Sequence, residues 1–116
     1  MATSTPPLKH LQRRQRQLAR QILDLGFVQP GSIVSRYTYC QTPGCRCQAD
    51  PPRPHGPYWQ WTRYDRGKTI TRRLNERQAG IYQDFMANRR RLDEIIAELD
   101  AIGAQAAEIF LQQNAS

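Results

Sequence analysis

The chain has 116 residues, 39% of them apolar, with 17 Lys and Arg against 10 Asp and Glu for a net charge of +7. That length is one domain's worth of sequence, and its small core is marginal without a staple such as a metal. Three cysteines, an odd number, argue against a closed disulfide framework, and no stretch reaches the length of a membrane span.

The first ten residues, MATSTPPLKH, contain no apolar run of the kind a secretory leader needs, so a cytoplasmic location is expected. After a short flexible lead, Pro6-Pro7 opens a helix expected to run to about Leu25, and residues 1–28 form the N-terminal helical segment. Leu8, Leu11, Leu18, Ile22 and Leu25 recur at helical spacing, with Arg13, Arg14, Arg16 and Arg20 on the opposite face. Gly26 and Pro30 are the stop signals beyond it.

Residues 29–74 change character. Ile33 to Tyr39 is rich in β-branched and aromatic residues and predicts a strand. Residues 40–57 hold all three cysteines and read as a turn-rich loop. Tyr58 to Tyr64 predicts a second strand, with Trp59 and Trp61 on one face and read as core packed against a helix. Asp65-Arg66-Gly67 is a hairpin turn, and Lys68 to Leu74 pairs back as a third strand.

Asn75 predicts a helix cap, with Gln78 as its capping-box partner, for a helix running over 75–113. Phe85, Leu92, Ile95, Leu99, Ile102, Ala106 and Ile109 follow an a/d rhythm, with Asn88 at one d-type position. This stripe either forms an intermolecular coiled coil, giving a homodimer through the 85–109 heptads, or packs on the first helix and the sheet. The expected architecture is therefore α+β, one domain over 1–116: an N-terminal helix, a small three-stranded antiparallel sheet with a zinc-binding loop, and a long C-terminal helix.

The cysteines and one histidine form the pattern C-x4-C-x-C-x7-H, from Cys40 through Cys45 and Cys47 to His55. Zinc takes four ligands in a tetrahedron, and three thiolates with one imidazole satisfy it. The segment is too rich in Pro, Gly and polar residues to bury thiols by apolar packing. His10 and Asp50 remain alternatives to His55 as fourth ligand. A catalytic zinc would need an open position and a nearby general base, and no such motif exists. No nucleophilic triad, phosphate-cradling loop or acid pair is present either, so neither enzyme activity nor a small-molecule substrate is expected.

Charge is unevenly placed: +4 over residues 1–30, +6 over 31–74 and −3 over 75–116. Arg36, Arg46, Arg63, Arg66, Lys68, Arg72 and Arg73 interleave with tyrosines and tryptophans. Basic groups neutralise phosphates and aromatics stack on bases, so these seven are the candidate nucleic-acid contacts.

The string Pro30-Gly31-Ser32, then Arg36-Tyr37-x-x-Cys40, Pro43, Cys45-Arg46-Cys47 and His55-Gly56-Pro57-Tyr58, resembles an uncharacterised family of short bacterial and archaeal proteins, a domain of unknown function. Its hallmark is R-Y-x-x-C-G-K-x-x-C-R-C followed by H-G-P-Y. Here Gln41-Thr42 replaces the usual Gly-Lys, removing one basic residue. The resemblance implies a metal site, no established activity, and an association with mobile elements or phage. The expected function is a non-enzymatic, zinc-stabilised nucleic-acid-binding accessory protein. The alternative is a protein-interaction adaptor that dimerises or docks through its long helix.

Overall fold

A computed structural model of the chain describes residues 6–113. In chain order it contains α1 (Leu8–Leu23), β1 (Ser32–Thr38), a short 3-10 turn (Arg46–Gln48), β2 (His55–Asp65), β3 (Lys68–Leu74) and α2 (Glu76–Gln113). The expected α+β architecture is met: an N-terminal helix, a three-stranded antiparallel sheet and a long C-terminal helix. The lead over residues 1–5 lies outside the described residues. No helix among the described residues is long and apolar enough to cross a membrane.

The chain divides into two compact units, Met1–Val28 with Asn88–Ser116, and Gln29–Ala87. In the first, α1 packs along α2 through apolar side chains. Leu18 and Ile95 are completely buried and Leu11 nearly so. Leu92, Leu99, Ile102, Ala106 and Ile109 are half-buried. The heptad stripe thus finds a partner within the chain. Arg14 pairs with Glu98 at 2.7 Å, and Arg91 donates to the Gln21 side chain. These contacts run the two helices antiparallel. Asn88 donates its amide to the Phe27 carbonyl at 2.8 Å, tying down the segment that leaves α1. The helix ends two residues short of the expected Leu25, because the Asp24 N–H is shared between the Arg20 and Gln21 carbonyls and the last turn tightens.

In the second unit the strands lie in the order β1-β2-β3. A two-residue turn joins β2 to β3, with both Arg66 and Gly67 at positive φ. That turn sets the register Asp65↔Lys68, from which Trp61↔Arg72 and Trp59↔Leu74 follow. Trp61, Leu74, Ala79 and Met86 form the buried cluster, flanked by Ile33, Trp59, Ile70 and Tyr82. Trp61 meets Tyr82 edge-on, ring centroids 5.1 Å apart, and donates its indole N–H to the Pro30 carbonyl at 3.1 Å. A Cβ on Gly31 would come within 2.6 Å of that indole nitrogen, so only glycine lets the chain pass. At the start of α2, the Asn75 N–H donates to Gln78 Oε1 at 2.9 Å while the Gln78 N–H donates to Asn75 Oδ1 at 2.8 Å. This is the expected reciprocal cap.

Candidate metal centre

Cys40, Cys45, Cys47 and His55 come together at one end of the sheet. Their ligand atoms, three Sγ and one imidazole nitrogen, all lie within 4.8 Å of one another and could hold a metal ion. Neither His10 nor Asp50 belongs to the group. The backbone shows how a Pro-rich segment brings them in. Thr42 to Cys45 is a tight turn closed by the Cys45 N–H donating to the Thr42 carbonyl at 3.2 Å. The 3-10 turn then turns Cys47 inward, where it is the one buried cysteine. Arg46, between two ligands, points to solvent. A second closure, the Arg53 N–H to the Arg46 carbonyl at 3.1 Å, returns the chain toward β2.

His55 does not lie in the loop, as expected from sequence, but opens β2, paired with Thr38 of β1. The ladder holds it there through a bulge between Arg36 and Thr38. Gly56 beside it has φ +119, and a Cβ there would meet the Arg36 carbonyl oxygen at 2.8 Å. Only glycine fits, which accounts physically for the residue following the ligand.

The cysteines are reduced, with Cys40 Sγ and Cys47 Sγ 3.2 Å apart. His55 Nε2 is 3.1 Å from Cys45 Sγ and 3.4 Å from Cys40 Sγ. The Cys40 N–H donates to Cys47 Sγ at 3.1 Å, and the Gln48 amide donates to the Cys40 carbonyl. Hydrogen bonds to sulfur of this kind favour the thiolate and orient it. The Cys40 thiol is held down at about 6, first by the Cys47 thiol and then by His55, the Thr42 backbone and Cys45. Burial, with Cys40 alongside, pushes the Cys47 thiol up.

The seven candidate nucleic-acid residues do not form one patch. Side chains opposite one another across the ladder share a face. Arg63, Lys68 and Arg72 share the face of Trp61, toward α2. Arg63 is spent there, over the Trp61 ring and 3.7 Å from Asp65. Arg66 is at the hairpin tip and Arg46 in the metal loop. Only Arg36 and Arg73 occupy the open face, with Tyr58 between them: Arg36 pairs with Tyr58, and the Arg73 guanidinium stacks 3.6 Å from the Tyr58 ring centroid. Ser32, Val34, Gln60, Thr62, Tyr64, Thr69 and Thr71 also lie on that face, and none of these residues is acidic. The Arg73–Tyr58 stack is the feature that sequence reasoning missed. The hairpin register, counted outward from Arg66-Gly67, would have separated Arg73 from Arg72.

Residues 8–83 match the family described as Domain of unknown function (DUF6788). The chain belongs to that family. The match takes in α1, the whole sheet with its metal loop, and the first turns of α2. An uncharacterised domain family is what the motif around Cys40–Tyr58 led one to expect, and the two agree at that level. No curated protein and no solved structure matches the chain.

Proposed function

We propose that this DUF6788 member is a non-enzymatic nucleic-acid-binding accessory protein whose β unit is stapled by zinc. The observation carrying the binding reading is the open face of the sheet: Arg36 and Arg73 flank Tyr58, Tyr64 is 74% exposed, and no carboxylate shares the face. Cations for phosphates beside an exposed ring on which a base can stack is the chemistry of a nucleic-acid platform.

Zinc fits the donor set by softness and by size. Three thiolates with one imidazole suit it, and Zn–S bonds of about 2.3 Å in a tetrahedron imply S···S edges of about 3.8 Å. The Cys40–Cys47 Sγ separation of 3.2 Å lies below that value, and the 4.8 Å within which all four donor atoms fall lies above it. Four protein donors fill the tetrahedron and leave no position for water or substrate, which supports a structural rather than catalytic metal. Bound there, zinc would neutralise thiolate charge and cross-link the loop to β2.

Two measurements test this. Metal analysis of protein purified without added zinc is expected to give about one equivalent; less than half, with a fold indifferent to chelator, refutes the staple. A fluorescence-anisotropy titration at low salt, with unrelated DNA and RNA probes, is expected to show binding that weakens as salt rises. No binding to any probe ends the nucleic-acid reading.

A second reading, self-association, is favoured by exposed Ile96, Phe110 and Leu111 on α2. Ile96, Gly103 and Phe110 recur every seven residues beside the stripe that α1 covers. Sedimentation of the protein and of an Ile96→Asp/Phe110→Asp variant decides it: a dimer dissociated by the variant supports the reading, and a monomer in both removes it.

A further inference from the structure

The outer face of α1 carries a charge pattern with no use in the fold. Helix α1 contains five cations if Lys9 is counted with its arginines, and no acid. At about 100° per residue, Lys9, Arg13, Arg16 and Arg20 fall within about 60° of arc, opposite Leu18, in a row about 16 Å long. Gln12 and Gln17 flank the row on its two sides, and the six side chains border a shallow depression of about 560 Å³. Arg14, off the row, is the arginine of this helix that pairs with a carboxylate, Glu98. Among the described residues none of the four in the row makes an ion pair.

That arrangement works against the helix. Like charges three and four apart repel, and Lys9 in the first turn opposes the helix dipole, with no acid there to offset it. A row that weakens its own helix and is left exposed calls for a polyanion. A lipid surface is the poorer fit: an interfacial helix needs its apolar face free, and here Leu11 and Leu18 are 5% and 0% exposed. From Lys9 to Arg20 the face offered outward is polar, and Leu23 at the helix end is a lone exposed apolar side chain on it, too little for an interfacial helix.

We infer that the outer face of α1 inserts into the major groove of duplex DNA, with Lys9, Arg13, Arg16 and Arg20 facing the groove and Gln12 and Gln17 at its margins. This rests on the nucleic-acid reading above, names duplex DNA as the partner and adds α1 to the sheet face as a contacting element. A helix of about 10–12 Å diameter fits the B-form major groove, about 12 Å wide, whereas the A-form groove is too narrow to admit it. Arginine and lysine match guanine O6 and N7, and glutamine matches adenine N6 and N7, so these residue types present what base edges in that groove accept.

The test uses the full chain and a mixed-sequence 20-base-pair duplex. Neutralising the row as Lys9→Gln/Arg13→Gln/Arg16→Gln/Arg20→Gln keeps good helix formers, and circular dichroism checks that the helix persists. The expected result is a loss of roughly 100-fold in affinity at low salt, and a log–log salt slope shallower by about 3–4. A duplex whose major groove is filled by glucosylated hydroxymethylcytosine is expected to bind at least about tenfold more weakly, while saturating the minor groove with netropsin changes little. Duplex RNA of the same sequence is expected to bind more weakly than DNA.

An unchanged affinity in the folded quadruple variant, or equal binding to the filled-groove duplex, overturns the inference. If Arg36→Gln/Arg73→Gln abolishes binding while the quadruple variant does not, the nucleic-acid reading survives and the α1 assignment falls. If the wild-type chain binds no nucleic acid but binds vesicles of phosphatidylcholine and phosphatidylserine through the same four cations, both fall.

Discussion

The two units of this small protein meet the same difficulty, too little apolar surface, by different means. The helical unit uses side-chain burial: Leu18 and Ile95 are wholly removed from solvent, and the seam between α1 and α2 is closed by residues from both helices. The β unit has one apolar cluster under the sheet, around Trp61 and Leu74. Across residues 39–54, between β1 and β2, Cys47 is the one buried residue. That segment is held by short backbone closures, and four donor atoms that could hold a metal ion converge at its edges. Burial is cooperative along a helix and tolerates sequence change if volume is kept, whereas the proposed metal staple would concentrate the stability of sixteen residues in four side chains. The comparison predicts that the units respond to different insults.

The largest effect should come from the metal. Chelation, or Cys45→Ser, is expected to release bound metal and to abolish the near-ultraviolet dichroism of Trp59 and Trp61, while most of the helical signal persists. Structural zinc sites carry on the order of 10 kcal/mol of binding free energy, more than any one side chain here. Simultaneous loss of the helical signal at the same chelator concentration would break the comparison, because the units would then unfold as one.

Leu18→Ala is the converse experiment. Removing a wholly buried leucine should cost about 3 kcal/mol in urea unfolding and leave the metal content unchanged. A smaller step is Asn75→Ala, which removes the acceptor for the Gln78 N–H and should cost about 1 kcal/mol. The smallest is Arg14→Ala. Its pair with Glu98 is short, but the side chains are 43% and 44% exposed, so the change in stability should stay within about 1 kcal/mol and shrink with salt. A cost above that for Arg14→Ala would mean that the ion pair, and not the apolar seam, holds α1.

Features that depend on neighbours in sequence were legible before the structure. Asn75 and Gln78 announced their reciprocal cap, Arg66-Gly67 the hairpin, and Lys68 to Leu74 the third strand to the residue. The C-x4-C-x-C-x7-H spacing brought out the candidate ligands, since all four lie within residues 40–55. The misplacement of His55 in a loop had a plain cause: Gly56 and Pro57 read as turn residues, while the Thr38 pairing and the bulge beside it carry the strand through them. The heptad rhythm of α2 was correctly seen, but a period identifies an apolar stripe without saying what covers it.

By itself, then, the sequence determined the elements, their caps and turns, the donor set and the uneven charge, because each rests on contacts or periodicities spanning a few residues. Only the tertiary structure decided that α1 covers the stripe of α2, that Trp61 hangs from the Pro30 carbonyl, and that Arg73 stacks on Tyr58 while Arg72 turns to the other face. Arg14 and Glu98 are 84 residues apart, and Trp61 and Pro30 31 apart. No local pattern encodes such pairings. They follow from which surfaces can be buried together once the whole chain is collapsed, and that is a property of packing rather than of any one segment.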